Sequence, residues 1–382
     1  MLAKKPPMGF NTWNTFGRKI DEKMIMETAD KMVELGLLNA GYEYLVIDDC
    51  WSEKQRDPQS GKIVPDKQKF PNGMKYVSDY VHSKGLKFGM YSCCGTRTCD
   101  DFPGSFDHEF LDAKTFAEYG CDFLKYDYCF KPENAVGSVL YRKMAMALKM
   151  CGREILFSAC NWGCDGVNTW ARSAGAHMYR STGDIFDNYP RMKEIALSQV
   201  ENLPYSGPGC FNDIDMLTCG MYGFGNVADD HLDESERKQY DIDYKTEFAL
   251  WCMFSSPLMI GCDIRKINDT TLKLLTNKDM IRINQDEEGR PAYVARGLEE
   301  ECPTFVKLLS DNEVAVLFTN LTDMDDRDCR LFFDDIGLQV ADGYGLRMKD
   351  VFTGEDLGVR KEIFNLRLDK HDCAMYLCKI EK

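Results

Sequence analysis

The stretch Phe123-Leu124-Lys125-Tyr126-Asp127-Tyr128-Cys129 begins as an apolar strand and then sets a lysine, an aspartate and a cysteine within five positions. Side chains along a strand alternate between its two faces, so Lys125 and Asp127 point the same way. A cation that close favours the ionised carboxylate, the form a carboxylate nucleophile needs. Other apolar segments also end in polar or aromatic residues, namely Asp48 and Asp49, Tyr91, Asn161 and Trp162, Arg180 with Asp184 after it, and Asp213 with Asp215. Carboxylates accept hydrogen bonds from sugar hydroxyls and aromatic rings pack on the apolar faces of a sugar ring, so the set reads as a site for a neutral sugar. Two carboxylates across such a pocket can cleave a glycosidic bond, one attacking the anomeric carbon while the other donates and then accepts a proton. Each residue also has a plainer reading: a strand-end aspartate caps a helix or binds Mg²⁺, Trp13 and Trp51 fill a core, and Arg180 pairs structurally. Recurrence at nearly every strand end carries the functional reading.

The elements that must position these residues follow from the spacing of apolar runs. Eight short segments alternate with amphipathic stretches: Met8 to Trp13, Tyr44 to Asp49, Leu86 to Ser92, Phe123 to Tyr128, Ile155 to Trp162, His177 to Ser181, Phe211 to Asp215 and Pro257 to Asp263. That alternation predicts βα units on a parallel sheet, and eight of them over 1–286 predict a (β/α)₈ barrel, whose strand ends converge on one pocket. No GxGxxG follows any strand, which disfavours a doubly wound sheet. Helices are expected at Glu22 to Leu35, Ala113 to Tyr119 and over 232–254, the last with a capping signal in Asp233 and Glu236. From 287 to 382 short strands between Gly, Asp and Asn turns (Thr304 to Leu309, Val314 to Thr319, Leu331 to Phe333, Ala374 to Cys378) predict a C-terminal antiparallel β-sandwich domain.

Composition narrows the partners. Of the 382 residues, 44% are hydrophobic and 29% charged, enough to bury a core, and the formal net charge of −15 would repel nucleic acid and anionic membranes. The segment Met1 to Pro7 has no apolar signal core and no run is long enough to span a bilayer, so a cytoplasmic location and no membrane contact are expected. Most of the seventeen cysteines are then expected to be small buried hydrophobes. Cys93-Cys94 with Cys99 lacks a second CxxC, and His82, His108, His177, His231 and His371 are scattered, so neither a metal nor an organic cofactor is expected. Tyr222, Phe224 and the β module are candidate contacts of a homo-oligomer or of an extended substrate.

The words PPMGFNTW (6–13), IDDCW (47–51), FPNGM (70–74), KFGMY (87–91), FPGSF (102–106), FLKYDYC (123–129), GPGCFNDIDML (207–217), FALWCMFSSPL (248–258) and INQD (283–286) occur in this order. Along nearly its whole length the chain resembles glycoside hydrolase family 27, the α-galactosidases and α-N-acetylgalactosaminidases. The resemblance implies a retaining mechanism with Asp127 as nucleophile and Asp184, four residues after Arg180, as acid/base. It further implies that Trp13, Asp48, Asp49, Tyr91, Lys125, Arg180 and Asp215 contact the terminal galactose, the Asp48/Asp49 pair reading its 4- and 6-hydroxyls. Retention of that pair speaks against the arabinopyranosidase branch.

Three positions depart from the family pattern. Asn161 stands where α-galactosidases carry Glu, and with Cys164 it is expected to shape the pocket at carbon 2. Tyr128 follows the nucleophile where Gly or Asn is common and is expected to narrow the leaving-group side. Cys99 and Cys129 match a pair that is disulfide-bonded in secreted relatives, while Cys50 and Cys160 lack the usual partners; left reduced, Cys99 would line the pocket near carbon 2. The expected activity is exo-hydrolysis of terminal α-linked galactose from oligosaccharides or glycoconjugates. The alternatives are the same chemistry on α-N-acetylgalactosamine, a non-catalytic sugar-binding barrel, and a Mg²⁺ enzyme using Asp48, Asp49 and Asp215.

Overall fold

The computed structural model describes residues 2–223 and 239–382. Eight strands form one parallel sheet: β1 (Met8–Asn11), β2 (Tyr44–Val46), β3 (Lys87–Cys93), β4 (Phe123–Asp127), β5 (Leu156–Cys160), β6 (Met178–Arg180), β7 (Phe211–Asp213) and β8 (Leu258–Ile260). They pair in the order β7-β6-β5-β4-β3-β2-β1-β8. Leu217, just past β7, closes the ring on β8: its N–H donates to the Met259 carbonyl at 2.8 Å and its carbonyl accepts from Gly261 N–H at 3.0 Å. The expected (β/α)₈ barrel is therefore present, each strand but β3 shorter than its expected segment because most of the polar strand ends lie beyond the last ladder bond.

Alternation sorts the strands into two cores. One face fills the barrel interior with Tyr44, Val46, Phe123, Leu156, Met178, Met216 and Met259, capped by Trp13. The opposite face packs Phe10, Leu45, Ile47, Phe88, Leu124, Tyr126, Phe157 and Tyr179 under the helices. The interior is tight: a Cβ at Gly9 would lie 2.4 Å from the Tyr44 carbonyl oxygen, and one at Gly89 2.6 Å from Val46 Cγ2. Glycine at these two positions lets neighbouring strands approach where a methyl group would force them apart.

The helix Glu22–Glu34 begins where Asp21 accepts from Met24 N–H at 2.8 Å, an N-cap that satisfies one of the free donors of the first turn. The helix expected over 232–254 begins at Asp241 and ends at Met253; Asp233 and Glu236, the expected capping pair, lie outside the described residues. Its start is marked instead by Asp243, whose carboxylate accepts from Tyr240 N–H at 2.7 Å. This helix is buried on nearly all sides, because it runs between the barrel and the second module. Among the described residues no helix is long and apolar enough to cross a membrane.

Past the helix Lys278–Asn284 the chain turns antiparallel, as β9 (Tyr293–Arg296), β10 (Thr304–Leu308), β11 (Glu313–Thr319), β12 (Arg327–Phe332), β13 (Gly345–Asp350), β14 (Asp356–Arg360), β15 (Ile363–Leu368) and β16 (Cys373–Glu381). Six strands pair in the order β14-β13-β16-β11-β10-β9, and β12 pairs with β15 in a second sheet. Val306, Val316, Phe318, Leu331, Phe333, Met348 and Tyr376 fill the space between them. Four of these strands were expected. β9, β13, β14 and β15 were not, because polar and half-exposed residues interrupt their apolar positions.

The two modules join through a buried cation. Lys307 of β10 is fully buried, and its ammonium donates to Ser255 Oγ at 2.8 Å and to the carbonyls of Ile283 at 2.5 Å and Cys252 at 3.2 Å, all three in the barrel half. Burial pushes its pKa down to about 7. The unfolded chain, with lysine near its usual value of about 10.4, binds more protons between these two limits, so this group's contribution to stability rises with pH across that window. Replacing Lys307 by Met leaves these acceptors without their partner, a loss of about 1–3 kcal/mol. Thermal unfolding should show a lower Tm for Lys307→Met, with the deficit larger at pH 9 than at pH 6. A deficit that shrinks with rising pH would mean that the ammonium is not desolvated.

Candidate active site

The strand ends open into one cavity of about 610 Å³ at the C-terminal mouth of the barrel. Trp13, Asp48, Asp49, Tyr91, Cys99, Lys125, Asp127, Arg180, Asp184 and Asp215 all line it, whereas Asn161, Asp213, Tyr128 and Cys164 do not.

Two buried cations organise the carboxylates. Lys125 Nζ lies 2.8 Å from Asp48 Oδ2, which also accepts from Asn11 Nδ2 at 2.7 Å. Arg180, 3% exposed, divides one Nη2 between Asp215 Oδ2 at 2.6 Å and Asp184 Oδ1 at 2.7 Å. Asp49 is held by backbone donors, Cys50 N–H at 2.7 Å and Asp100 N–H at 3.1 Å. Asp215 sits at φ +84°, a left-handed backbone that only a few residue types tolerate. Its carboxylate is fixed there by Met216 N–H at 2.8 Å and Ile185 N–H at 2.7 Å.

Asp127 ends β4 and is 5% exposed. Its Oδ2 accepts from the Tyr91 hydroxyl at 3.0 Å and its Oδ1 from Tyr128 N–H at 2.9 Å. The spacing of the two residues leads one to expect that Lys125 holds this carboxyl low. Burial outweighs the lysine and pushes Asp127 up to about 6. Burial likewise lifts Asp49 and Asp215 to about 6. Asp184 goes the other way. Its side chain is 59% exposed to the pocket, and although burial pushes its pKa up, Arg180, Lys125 and Arg191 together hold it below the ordinary aspartate value. The proton-holding setting expected for the acid is therefore reversed in the free site: of the two carboxylates, Asp127 keeps a proton to the higher pH.

Two expectations need correction. Asn161 does not line the cavity: it is fully buried and its Nδ2 donates to the Cys164 carbonyl at 2.8 Å. The cause is strand alternation, since Asn161 shares the outward phase of Phe157 and Ala159, whereas Cys160 continues the inward phase of Leu156 and Ser158. Cys160 and Trp162 form the wall instead, and Cys164 points away, exposed at the surface. Tyr128 does not narrow the leaving-group side. It is 5% exposed, meets Trp162 edge-on with ring centroids 6.3 Å apart and hydrogen-bonds through its hydroxyl to Asp165. It thus braces the loop that presents Trp162. Cys99 and Cys129, for which the sequence leaves both the bonded and the reduced state open, form a disulfide, Cα to Cα 5.2 Å, and Cys99 lines the cavity; the other cysteines are free, and all but Cys151 and Cys164 are buried.

Residues not singled out from the sequence complete the rim. Arg18 pairs with Asp100 at the mouth through two nitrogens, and Phe186 and Met216 supply apolar surface. Met216 could have been found from its position beside Asp215; Arg18 and Phe186 lie on loops whose course no periodicity reveals.

The comparisons with known proteins agree with this geometry. The alpha galactosidase A family profile matches residues 5–286, and the alpha galactosidase C-terminal beta sandwich domain profile matches residues 299–378. The alpha-galactosidase of Cyamopsis tetragonoloba is 40% identical over 382 residues, covering 98% of this chain and 86% of that protein. The structure of alpha-galactosidase I from Mortierella vinacea superposes with a TM-score of 0.87 at 29% identity, over 99% of this chain and 97% of that one. The alpha-galactosidase of Saccharomyces cerevisiae, solved with raffinose, gives 0.87 at 25% identity over 100% and 98%. A strand-end pocket of this composition, in a barrel followed by the matching sandwich, makes the chain a member of the alpha-galactosidase A family, glycoside hydrolase family 27.

Proposed function

We propose that this glycoside hydrolase is a retaining, exo-acting α-galactosidase that removes terminal non-reducing α-D-galactose from neutral oligosaccharides or glycoconjugates. The observation that carries this reading is one pocket containing two carboxylates in opposite electrostatic settings, Asp127 buried beside Lys125 and Asp184 open to the pocket beside Arg180. Asp127 attacks the anomeric carbon, the leaving oxygen takes a proton from Asp184, and water, deprotonated by the same Asp184, releases galactose from the glycosyl-enzyme. Asp48 and Asp49, reached by Asn11, Lys125 and backbone donors but facing the cavity, accept from the sugar hydroxyls. Raffinose, present with the yeast relative, is the kind of oligosaccharide this pocket would take. The many unpaired thiols support a reducing, cytoplasmic setting.

Asp127→Asn should lower kcat/KM by roughly 10³-fold or more, the scale expected when a nucleophile is removed, with an unchanged Tm; undiminished turnover would sink the assignment. For Asp184→Asn the loss on oligosaccharides should be about 10²–10⁴-fold and much smaller on aryl galactosides with good leaving groups, which need little protonation.

The reversed proton affinities dictate the pH profile. The reactive state has Asp127 ionised and Asp184 protonated, and it belongs to the singly protonated pair, which gives way to the doubly ionised pair as pH rises through about 6. For an oligosaccharide kcat/KM should therefore fall about tenfold per pH unit above that point. On an activated aryl galactoside the fall should flatten, because ionised Asp127 alone suffices. Equal slopes on both substrates would assign the limb to another group, such as Asp49 or Asp215.

The cavity wall made by Cys160 and Trp162 gives a separate test. Asn161→Ala should leave the ratio of kcat/KM on paired aryl α-galactoside and α-N-acetylgalactosaminide within about twofold while lowering Tm, since a buried hydrogen bond worth about 1 kcal/mol is lost. A changed ratio would return Asn161 to the sugar.

A further inference from the structure

The pocket's disulfide lies against its nucleophile. The donor atoms of Cys99, Asp127 and Cys129, two sulfurs and a carboxylate oxygen, all fall within 4.8 Å of one another. Cys99 is exposed to the cavity and Cys129 is 9% exposed. The Tyr91 hydroxyl touches the group from the side, 3.0 Å from Asp127 Oδ2 and 3.6 Å from Cys99 Sγ. While the S–S bond stands, the two sulfurs are committed to each other. A dithiol reductant that attacks through the open side at Cys99 closes into its own cyclic disulfide; its two electrons break the S–S bond and its two protons end on Cys99 and Cys129. Two thiols then stand beside the Asp127 carboxylate.

Two thiolates and a carboxylate are a donor set for zinc, with Zn–S near 2.3 Å and Zn–O near 2.0–2.2 Å. Around a tetrahedral ion such donors stand roughly 3.5–3.8 Å apart, so the atoms need to move by only about 1 Å, within the reach of two freed cysteine side chains. Thiolate ligands also select zinc or cadmium over magnesium or calcium. Binding displaces the two thiol protons, and the fourth position faces the cavity. We propose that Cys99, Asp127 and Cys129 become, on reduction, an inhibitory zinc site that takes the attacking carboxylate out of reaction. The metal site rests on geometry alone, whereas inhibition rests on the reading of Asp127 as nucleophile. Disulfide-intact enzyme does not bind zinc there, so metal sensitivity reports the redox state of the pocket.

The test compares untreated enzyme with enzyme reduced by a trialkylphosphine that is then removed. Cadmium added to the reduced form should raise the ultraviolet thiolate-to-cadmium charge-transfer absorption by one equivalent over the untreated form. A Cys99→Ser/Cys129→Ser double variant should lack that increment, which separates the site from the other thiols. Should the double variant fail to fold, Asp127→Asn in reduced form serves, keeping both sulfurs but weakening cadmium binding by tenfold or more. Zinc should lower kcat/KM of the reduced enzyme at least tenfold, reversed by EDTA, and leave the untreated enzyme unchanged. Equal cadmium absorption before and after reduction, or in the wild type and the double variant, overturns the site. An increment without inhibition overturns Asp127 as the attacking group if Asp127→Asn weakens cadmium binding, and overturns the three-donor site if it does not.

Discussion

Five aspartates, at positions 48, 49, 127, 184 and 215, line the mouth of this barrel around two buried cations, Lys125 and Arg180, with Asp213 buried behind them. That imbalance governs the site. A buried carboxylate is tolerated only when paired, hydrogen-bonded or protonated, and each solution is present: Asp48 is paired with Lys125, Asp184 and Asp215 share Arg180, and Asp49 is satisfied by backbone donors. The remaining repulsion and burial appear as raised proton affinity at Asp49, Asp127 and Asp215. A neutral sugar with several hydroxyls suits such a pocket because it brings donors and no charge.

Much of this could be read from the sequence, because two periodicities are strict. The period of two along β4 placed Lys125 and Asp127 on one face, and both line the cavity. The same rule applied to β5 puts Cys160 on the cavity face, whereas Asn161, the position to which the family pattern points, turns outward into the layer under the helices. In the sandwich, β11 and the central part of β16 are apolar enough to be seen, while β15 alternates exposed and half-buried residues around Asn365 and Arg367 and pairs with β12. Proton affinities were legible only in part. Proximity of Lys125 to Asp127 follows from spacing, but the depth at which both are buried is a property of the closed barrel.

The two modules depend on each other through polar contacts that neither segment advertises. Lys307 reaches from β10 to carbonyls of the helices Asp241–Met253 and Lys278–Asn284. His371 stacks on Tyr189 and meets Asp243 at 2.8 Å, while Lys245 meets Asp372 at 2.7 Å, all around the helix Asp241–Met253. That helix also supplies Trp251, whose indole N–H donates to the Asp215 carbonyl at 2.9 Å. The sandwich is thereby connected, through one helix, to the backbone of a pocket residue.

The loop after β5 carries Trp162 at φ +58°, Gly163 at +83°, Asp165 at +56° and Gly166 at +61°. Two of these four, Trp162 and Asp165, occupy without glycine's freedom a backbone region that costs a side chain about 1 kcal/mol or more, and the Tyr128–Asp165 hydrogen bond and the packing of Tyr128 on Trp162 hold the loop in place. The pocket wall is in this sense spring-loaded. A change at Tyr128, which touches no part of the cavity, would let the loop relax and carry Trp162 with it. Divergence of sugar preference within this architecture therefore need not begin at a sugar-contacting residue; it can begin one layer behind, at the brace.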